Sequence, residues 1–360
     1  MELRAAVRNE YAAIREIIAR AFKADEADLW DYLVAHDPAL QPEGVRVALA
    51  DGRPVAVTVV LPRQIRTAVD TWVSGAVITL VACDPDFQGK GYGGATVRDA
   101  LAYGASRGMA VATLYGHPGY YPRFGFAPVL PGMNTTVSTK RLTPEPTLAP
   151  AEPGDLPAFL ALWDQTFGRY PCAVRRDASA WMWAQRMPHT SRLLTLPDRS
   201  GYAYIRFDKE LLEVFEAVAT DAESGRRLLS GLAAEAAERG LGKIGLFAPP
   251  DSLLCRLALA AGGEQKYSAA GAGMAAVLDF APLLPPAYAV ESDGLYRNGR
   301  QVLSAPRAAL VQLALGYRTP ADLLLMPACS LAGGASLESL GQDFPQAFPK
   351  WTMELFWYGE

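Results

Sequence analysis

Across 360 residues the chain holds four cysteines and three histidines. Cys83, Cys172, Cys255 and Cys329 are far apart, with no Cys-x-x-Cys and no Cys/His pairing. That spacing speaks against a disulfide framework and a structural zinc site. His36, His117 and His189 are too few for a multi-histidine centre, so no metal is expected. Basic charge is not in excess either: 34 Lys and Arg against 38 Asp and Glu leave −4. The electrostatic footprint of a nucleic-acid scaffold is therefore missing. No run reaches the ~18 uninterrupted apolar residues of a membrane span. The N-terminal MELRAAVRNEYAAIREIIARAF is broken by Arg, Asn and Glu where a signal peptide needs an apolar stretch. These absences predict a cytoplasmic protein with neither nucleic acid nor membrane as a partner.

Half of the residues are hydrophobic and a fifth charged. That balance excludes a wholly disordered chain and supplies more than one core. Ala13, Ile14, Ile17, Ile18, Ala21 and Phe22 recur at helical spacing, and a second short helix is predicted over Glu26 to Val34. Val45 to Leu49 and Val55 to Leu61 flank an Asp51-Gly52 turn as a hairpin, and Trp72 to Cys83 is a long β-rich run. Gly93 to Arg107 reads as a helix stopped by Gly108, and Met109 to Tyr115 as a strand suited to parallel pairing across it.

Residues 141–154 (RLTPEPTLAPAEPG) are proline-rich without apolar periodicity, the composition of a linker. After them the element order repeats: a helix over Asp155 to Phe167, three strands between Ser191 and Ala219, a helix over Arg226 to Arg239, and a strand over Ile244 to Ala248. The expected division is a domain over 1–140, the linker, a second domain over 155–284 and a small third over 285–360. The last carries a hairpin between Tyr288 and Leu303, turning at Asn298-Gly299, and a helix from about Pro306.

The most informative segment runs from Val77 to Val129. Gln88-Gly89-Lys90-Gly91-Tyr92-Gly93 sits between a strand end and a helix start, where backbone N–H groups and the positive end of the helix dipole can cradle a pyrophosphate. No Gly-Lys-Ser/Thr follows, so this is not a Walker loop, and the spacing differs from the dinucleotide Gly-x-Gly-x-x-Gly. Gln88, Gly91 and Gly93 fill a Gln-x-x-Gly-x-Gly pattern, and YYPRFGF (Tyr120 to Phe126) follows the next strand. Together these motifs resemble the GCN5-related N-acetyltransferase (GNAT) superfamily.

The resemblance implies acetyl-CoA as cosubstrate. Val81, Ala82 and Cys83 would hold the pantetheine arm through their backbone, and Gln88, Gly89, Lys90, Gly91, Tyr92, Gly93 and Gly94 the pyrophosphate. Gly116 and His117 would line the thioester end. Tyr121 is the expected general acid, with Tyr120 as its packing partner and the reverse assignment open. Cys83 is read as a small filler rather than a nucleophile. Phe22, Asp25, Glu26, Asp28, Trp30 and Asp31 lie where this superfamily builds its acceptor cleft, and acidic and aromatic groups suit a cationic amine.

The whole chain resembles the enhanced-intracellular-survival (Eis) acetyltransferase family. Its implied fold class is α/β (α+β): tandem GNAT folds plus a shortened sterol-carrier-like C-terminal domain. The loop TDAESGRRLL (Thr220 to Leu229) has lost the Gln-x-x-Gly-x-Gly pattern, so only the first domain is expected to bind CoA. That family uses its C-terminal carboxylate as general base, here Glu360, with His117 in reserve, and it implies a homo-oligomer. The expected function is acetyl transfer to a small-molecule or peptide primary amine, aminoglycoside-, polyamine- or lysine-like. Alternatives are a tandem-GNAT enzyme using another acyl-CoA or a peptide N-terminus, and a non-enzymatic CoA-responsive or lipid-binding scaffold.

Overall fold

The computed structural model describes residues 1–22, 24–177, 191–292 and 294–344, apart from the side chains of 24, 25, 131–133 and 267–272. The chain divides into two compact units. The first comprises Met1–Leu130, Tyr170–Arg175 and Gly271–Glu360, and the second Pro131–Arg169 and Arg176–Ala270.

In the first unit, β1 (Glu2–Ala5) precedes α1 (Tyr11–Ala21) and α2 (Ala24–His36). The apolar spacing of α1 puts Ile14, Ile17 and Ile18 in the core, each burial contributing roughly 1.5–3 kcal/mol. Next come β2 (Val45–Ala50), β3 (Arg53–Arg66) and β4 (Trp72–Cys83), then α3 (Tyr92–Ser106) and β5 (Val111–Tyr115). Neighbours pair antiparallel from β1 to β4, whereas β4 and β5 pair parallel across α3. Asp51 and Gly52 take positive φ at the β2–β3 turn. Helices α3 and α1 both pack on β3 and β4, from opposite faces: the cluster joining Ile78 to Val97 and Ala100 of α3 holds no residue of α1.

In the second unit, Thr135 to Ser138 of β6 (Ala127–Ser138), then β7 (Ala149–Pro150), α4 (Leu156–Thr166), β8 (Ser191–Thr195), β9 (Gly201–Phe207), β10 (Leu212–Ala219), α5 (Ala222–Glu238), β11 (Lys243–Leu246) and α6 (Leu253–Ala260) form another mixed sheet flanked by helices. The proline-rich stretch belongs to this body. Ala149 and Pro150 pair with Thr195 and Leu194, and Glu145 N–H bonds Ser230 O at 3.2 Å.

The strand β12 (Glu264–Val277) brings Gly273 to Val277 antiparallel onto β5, inside the first unit. A small third sheet follows: β13 (Tyr288–Glu291), β14 (Gly294–Arg297), β15 (Arg300–Ser304), then α7 (Arg307–Ala314), α8 (Pro320–Leu324), β16 (Ser330–Leu331) and α9 (Leu337–Asp343). The expected tandem arrangement of two mixed sheets, with a small C-terminal sheet, is therefore present. Among the described residues no helix is long and apolar enough to cross a membrane, and no three His, Cys, Asp or Glu side chains gather as metal ligands.

Candidate active site

The site begins where two parallel strands part. Gly75–Val77 of β4 pair with Val111–Thr113 of β5, and beyond them no pairing joins the two among the described residues. Both strands run on, β4 to Cys83 and β5 to Tyr115, so a cleft opens between them. Past Val77 its β4 wall pairs with no described residue on the β5 side, and such a strand edge can hold an extended ligand as an added strand would be held. Within that wall Leu80 takes φ +47°, at a register shift between Val57 and Val59 of β3. The bulge resets the alternation of side chains: Ile78 faces α3, Thr79 the opposite side, and Val81 packs again on the α3 side.

The loop from β4 to α3 leaves its backbone open to an anion. Gly89 and Gly91 take φ +76° and +88°, conformations that side chains resist, and nothing lies within 4 Å of a Cβ built on either. No side chain caps the start of α3 and no acidic residue occupies its first turn, so its leading N–H groups carry the positive dipole end outward. Around this opening the loop is tied down. Arg20 reaches Asp84 at 2.5 Å and Asp86 at 2.9 Å, and Gln88 Nε2 donates to Cys83 O at 3.2 Å. Lys90 is turned onto Asp86 O (2.9 Å) and the Phe87 ring. Gln88 thus shapes the loop, and the cationic wall comes from two residues that sequence reasoning missed. Arg98 and Arg123 line a cavity of ≈ 500 Å³ with Gln88, Gly89, Gly91 and Tyr92. Arg98 lies four residues after Gly94, one helical turn along the same face; that spacing was the available signal.

A second cavity of ≈ 310 Å³ adjoins the first, sharing Phe22, Val81, Cys83, Gly93 and Tyr120. Ala82, Gly116, His117 and Tyr121 also line it. The Tyr121 ring lies on Gly116 and meets Phe126 and Tyr120 edge-on at 5.7 and 5.1 Å. Burial lifts its phenol well above the usual 10, and the adjacent Tyr120 adds to the rise. Tyr120 is raised as well, chiefly by burial, and sits beside Gly93 at the junction of the cavities. Burial also pushes the Cys83 thiol up, so it stays a protonated thiol at neutral pH. His117 is exposed, and its Nδ1 accepts the Gly119 N–H at 3.2 Å.

The structure sorts the six acceptor-side candidates. Phe22 and Glu26 line the inner cavity, Phe22 at 42 % exposure and Glu26 at 7 %. Asp28 and Asp31 turn outward to Arg15, at 3.8 and 2.7 Å, and Trp30 is buried against Tyr11. The Asp25 side chain and Glu360 lie outside the described residues.

The corresponding start of α5 in the second unit is built differently. Asp221 caps it, its carboxylate accepting the Ser224 N–H at 2.9 Å, and Glu223 adds a second acid in the first turn. There, among the described residues, β10 and β11 pair over Leu212–Val214, and beyond that the Phe215 and Phe247 rings stack at 5.7 Å.

A parted parallel strand pair joined to an open helix start can hold an extended ligand that ends in an anionic group. Residues 2–129 match the family described as acetyltransferase (GNAT) domain, so the first unit carries an acetyltransferase domain of the GNAT type. This part of the chain is similar to the uncharacterized N-acetyltransferase YjhQ of Escherichia coli strain K12. The two are 29 % identical over 122 residues, 34 % of this chain and 66 % of that protein, just under two thirds of its length. Three solved structures share the fold of nearly the whole chain. A conserved protein of Enterococcus faecalis V583, a probable N-acyltransferase, has a TM-score of 0.77 at 17 % identity, covering 97 % of this chain and 98 % of that one. A GCN5-related N-acetyltransferase of Kribbella flavida has 0.74 at 17 %, covering 97 % and 96 %. Eis1 of Mycobacterium abscessus has 0.68 at 19 %, covering 98 % of each chain.

Proposed function

We propose that this chain transfers the acetyl group of acetyl-CoA directly to a primary amine. The observation that supports it most is the shared wall of the two cavities, which joins the open anion cradle to the cleft holding Tyr121. On this reading the pantetheine arm lies along the backbone of Val81, Ala82 and Cys83. The phosphates rest on Gly89 to Gly94, with Arg98 and Arg123 beside them. Gly116 and Tyr121 close the thioester end. The amine enters past Phe22 and Glu26, where a buried carboxylate suits a cation.

The reaction balances without a covalent enzyme intermediate. A nitrogen–carbon bond forms and the carbon–sulfur bond breaks. The nitrogen gives up a proton and the departing sulfur gains one, which Tyr121 supplies as a donor. An alkylammonium of ordinary pKa ~10.4 must first lose a proton, costing about 4–5 kcal/mol at pH 7. The proposed base is the C-terminal carboxylate of Glu360, on the Eis resemblance alone. An exposed α-carboxyl near ~3.5 is a poor base, so this role requires burial to raise it. Acetyl-CoA consumption screened against aminoglycosides, polyamines and lysine peptides tests the reading, with Tyr121→Phe alongside. Consumption with one class and a large loss in the variant supports it; none with any amine overturns it.

A further inference from the structure

The neck where the two cavities meet holds a hydroxyl with no role in the scheme above. Phe22, Val81, Cys83, Gly93 and Tyr120 line both cavities, and of these only Tyr120 carries a hydroxyl. Its Oη stands 3.6 Å from where a Cβ on Gly93 would lie, at the inner end of the anion cradle. It makes no hydrogen bond among the described residues, yet it is not one of their sealed, unpartnered oxygens, so it is open to the cavity. The neck's other polar side chain is the Cys83 thiol, a weak donor turned to Asp84 O at 3.7 Å.

The Tyr120 ring has little freedom. Tyr121 meets it edge-on at 5.1 Å, Phe124 lies tilted at 5.3 Å, and the Arg123 guanidinium covers it at 4.5 Å. The backbone is held as well: its N–H donates to His117 O at 3.0 Å, and its carbonyl accepts from Arg123 Nε at 2.9 Å. A phenol fixed in this way presents its O–H at one point, with little ordering left to be done when a ligand arrives. Burial raises its pKa, so at neutral pH it is a donor.

We propose that the Tyr120 hydroxyl donates to an amide carbonyl of the pantetheine arm and so sets the register of acetyl-CoA between the anion cradle and Tyr121. This rests on the acetyl-CoA reading of the same site. The C=O and N–H of a trans amide point in opposite directions. An amide that gives its N–H to the β4 edge therefore turns its carbonyl across the cleft, and Tyr120 follows β5 on that far side. Without a donor there, a carbonyl taken out of water would go unpaired. The pantoyl amide is the first of the arm after the phosphates, and Tyr120 Oη lies beside Gly93 of the cradle, so that carbonyl is the one Tyr120 is placed to meet. The same bond occupies the Tyr120 phenol and leaves proton donation to Tyr121.

The test titrates the full chain and its Tyr120→Phe variant with two ligands: acetyl-CoA, and 3′-phosphoadenosine 5′-diphosphate, the same nucleotide without the arm. Phe keeps the ring beneath Arg123 and loses only the oxygen. Acetyl-CoA is expected to bind Tyr120→Phe about five- to ten-fold more weakly than the parent, while affinity for the bare nucleotide stays within about two-fold. In turnover the loss is expected to fall on the KM for acetyl-CoA rather than on kcat. Unchanged acetyl-CoA affinity in Tyr120→Phe overturns this inference alone. An equal loss on both ligands does so as well, because it would put the hydroxyl at the phosphates. A kcat lowered about 100-fold at saturating acetyl-CoA would make Tyr120 the proton donor and overturn it too. A parent that binds no acetyl-CoA overturns it together with the reading beneath it.

Discussion

The Tyr121 ring rests directly on the backbone of Gly116, so closely that one added carbon at 116 would lie 2.4 Å from a ring carbon. Glycine is needed there for close approach rather than for a left-handed φ, since Gly116 is not among the positive-φ glycines. Gly116→Ala must therefore lift the phenol off the cleft floor. A shift of about 1 Å at a reacting group can cost ~100-fold in rate. The expected result is a kcat lowered between ten- and 100-fold with acetyl-CoA affinity little changed, since the anion cradle is elsewhere. Steady-state kinetics beside a binding titration check it, and an unaltered kcat would contradict the assigned role of Tyr121.

The raised pKa of Tyr121 fixes the sign of a pH effect. Its proton-donating form exists below its pKa, and burial moves that pKa upward from 10. The donor therefore persists across the whole assay range. The profile of kcat is expected to rise as base and amine deprotonate and to show no descending limb up to pH 10. Tyr121→Phe should lower the curve by about 100-fold or more without altering its rising limb. A falling limb between pH 8 and 9.5 that vanishes in Tyr121→Phe would show a depressed pKa instead.

Arg98 and Arg123 are exposed cations on the wall of the outer cavity, Arg98 over the Phe124 ring at 5.1 Å and Arg123 over Tyr120 at 4.5 Å. Solvent limits each to roughly 1 kcal/mol toward a phosphate. Changing both to Gln should weaken acetyl-CoA binding five- to ten-fold, roughly, and flatten its dependence on salt. Calorimetric titration at low and high ionic strength reads both quantities, and an unchanged salt slope would place the phosphates elsewhere.

Which parts were legible follows from how local the signals are. The strand Trp72–Cys83, the glycine loop and the helix Tyr92–Ser106 stand almost where alternation, glycines and helical spacing put them. Each is decided within a dozen residues. The pairing of Gly273–Val277 with β5 joins segments about 160 residues apart in chain, and AAGAGMAAV lacks the β-branched pattern that marks a strand. The expected hairpin from Tyr288 divides in three because Ser292 takes φ +48°, a second turn without the Asn-Gly signature. In the site, Glu26, Asp28 and Asp31 look alike as sequence. Only packing separates the buried acid from two acids bound to Arg15 on the surface.

One acetyl-CoA per chain is the expected stoichiometry, because Asp221 already occupies the helix start in the second unit. Hydrogen bonds from the backbone hold its carboxyl below the usual range, so it remains anionic and repels a pyrophosphate at neutral pH. Asp221→Ala should lower stability by uncapping α5, with acetyl-CoA affinity unchanged. Titration to two equivalents in the parent would show that the cap does not close the site.

Glu216 and Arg176 make the one polar contact in the second unit on which we expect its stability to turn most. The guanidinium meets both carboxylate oxygens, at 2.7 and 2.9 Å, and the Tyr202 hydroxyl donates to the same carboxylate at 2.7 Å. Both charged side chains are more than nine-tenths buried, and Arg176 also stacks on Trp163 at 4.5 Å. The pair as a whole adds little over an apolar replacement, because desolvation offsets its attraction. Removing one member is different, since the other charge stays buried and loses this bidentate contact. Glu216→Ala should lower stability by about 3–5 kcal/mol. Glu216→Gln keeps the shape and acceptor oxygen but not the charge, so it should fall between parent and Ala. Urea unfolding with equal slopes measures the difference. A loss below 1 kcal/mol in Glu216→Ala would mean that water reaches the guanidinium and that the pair is not buried in solution.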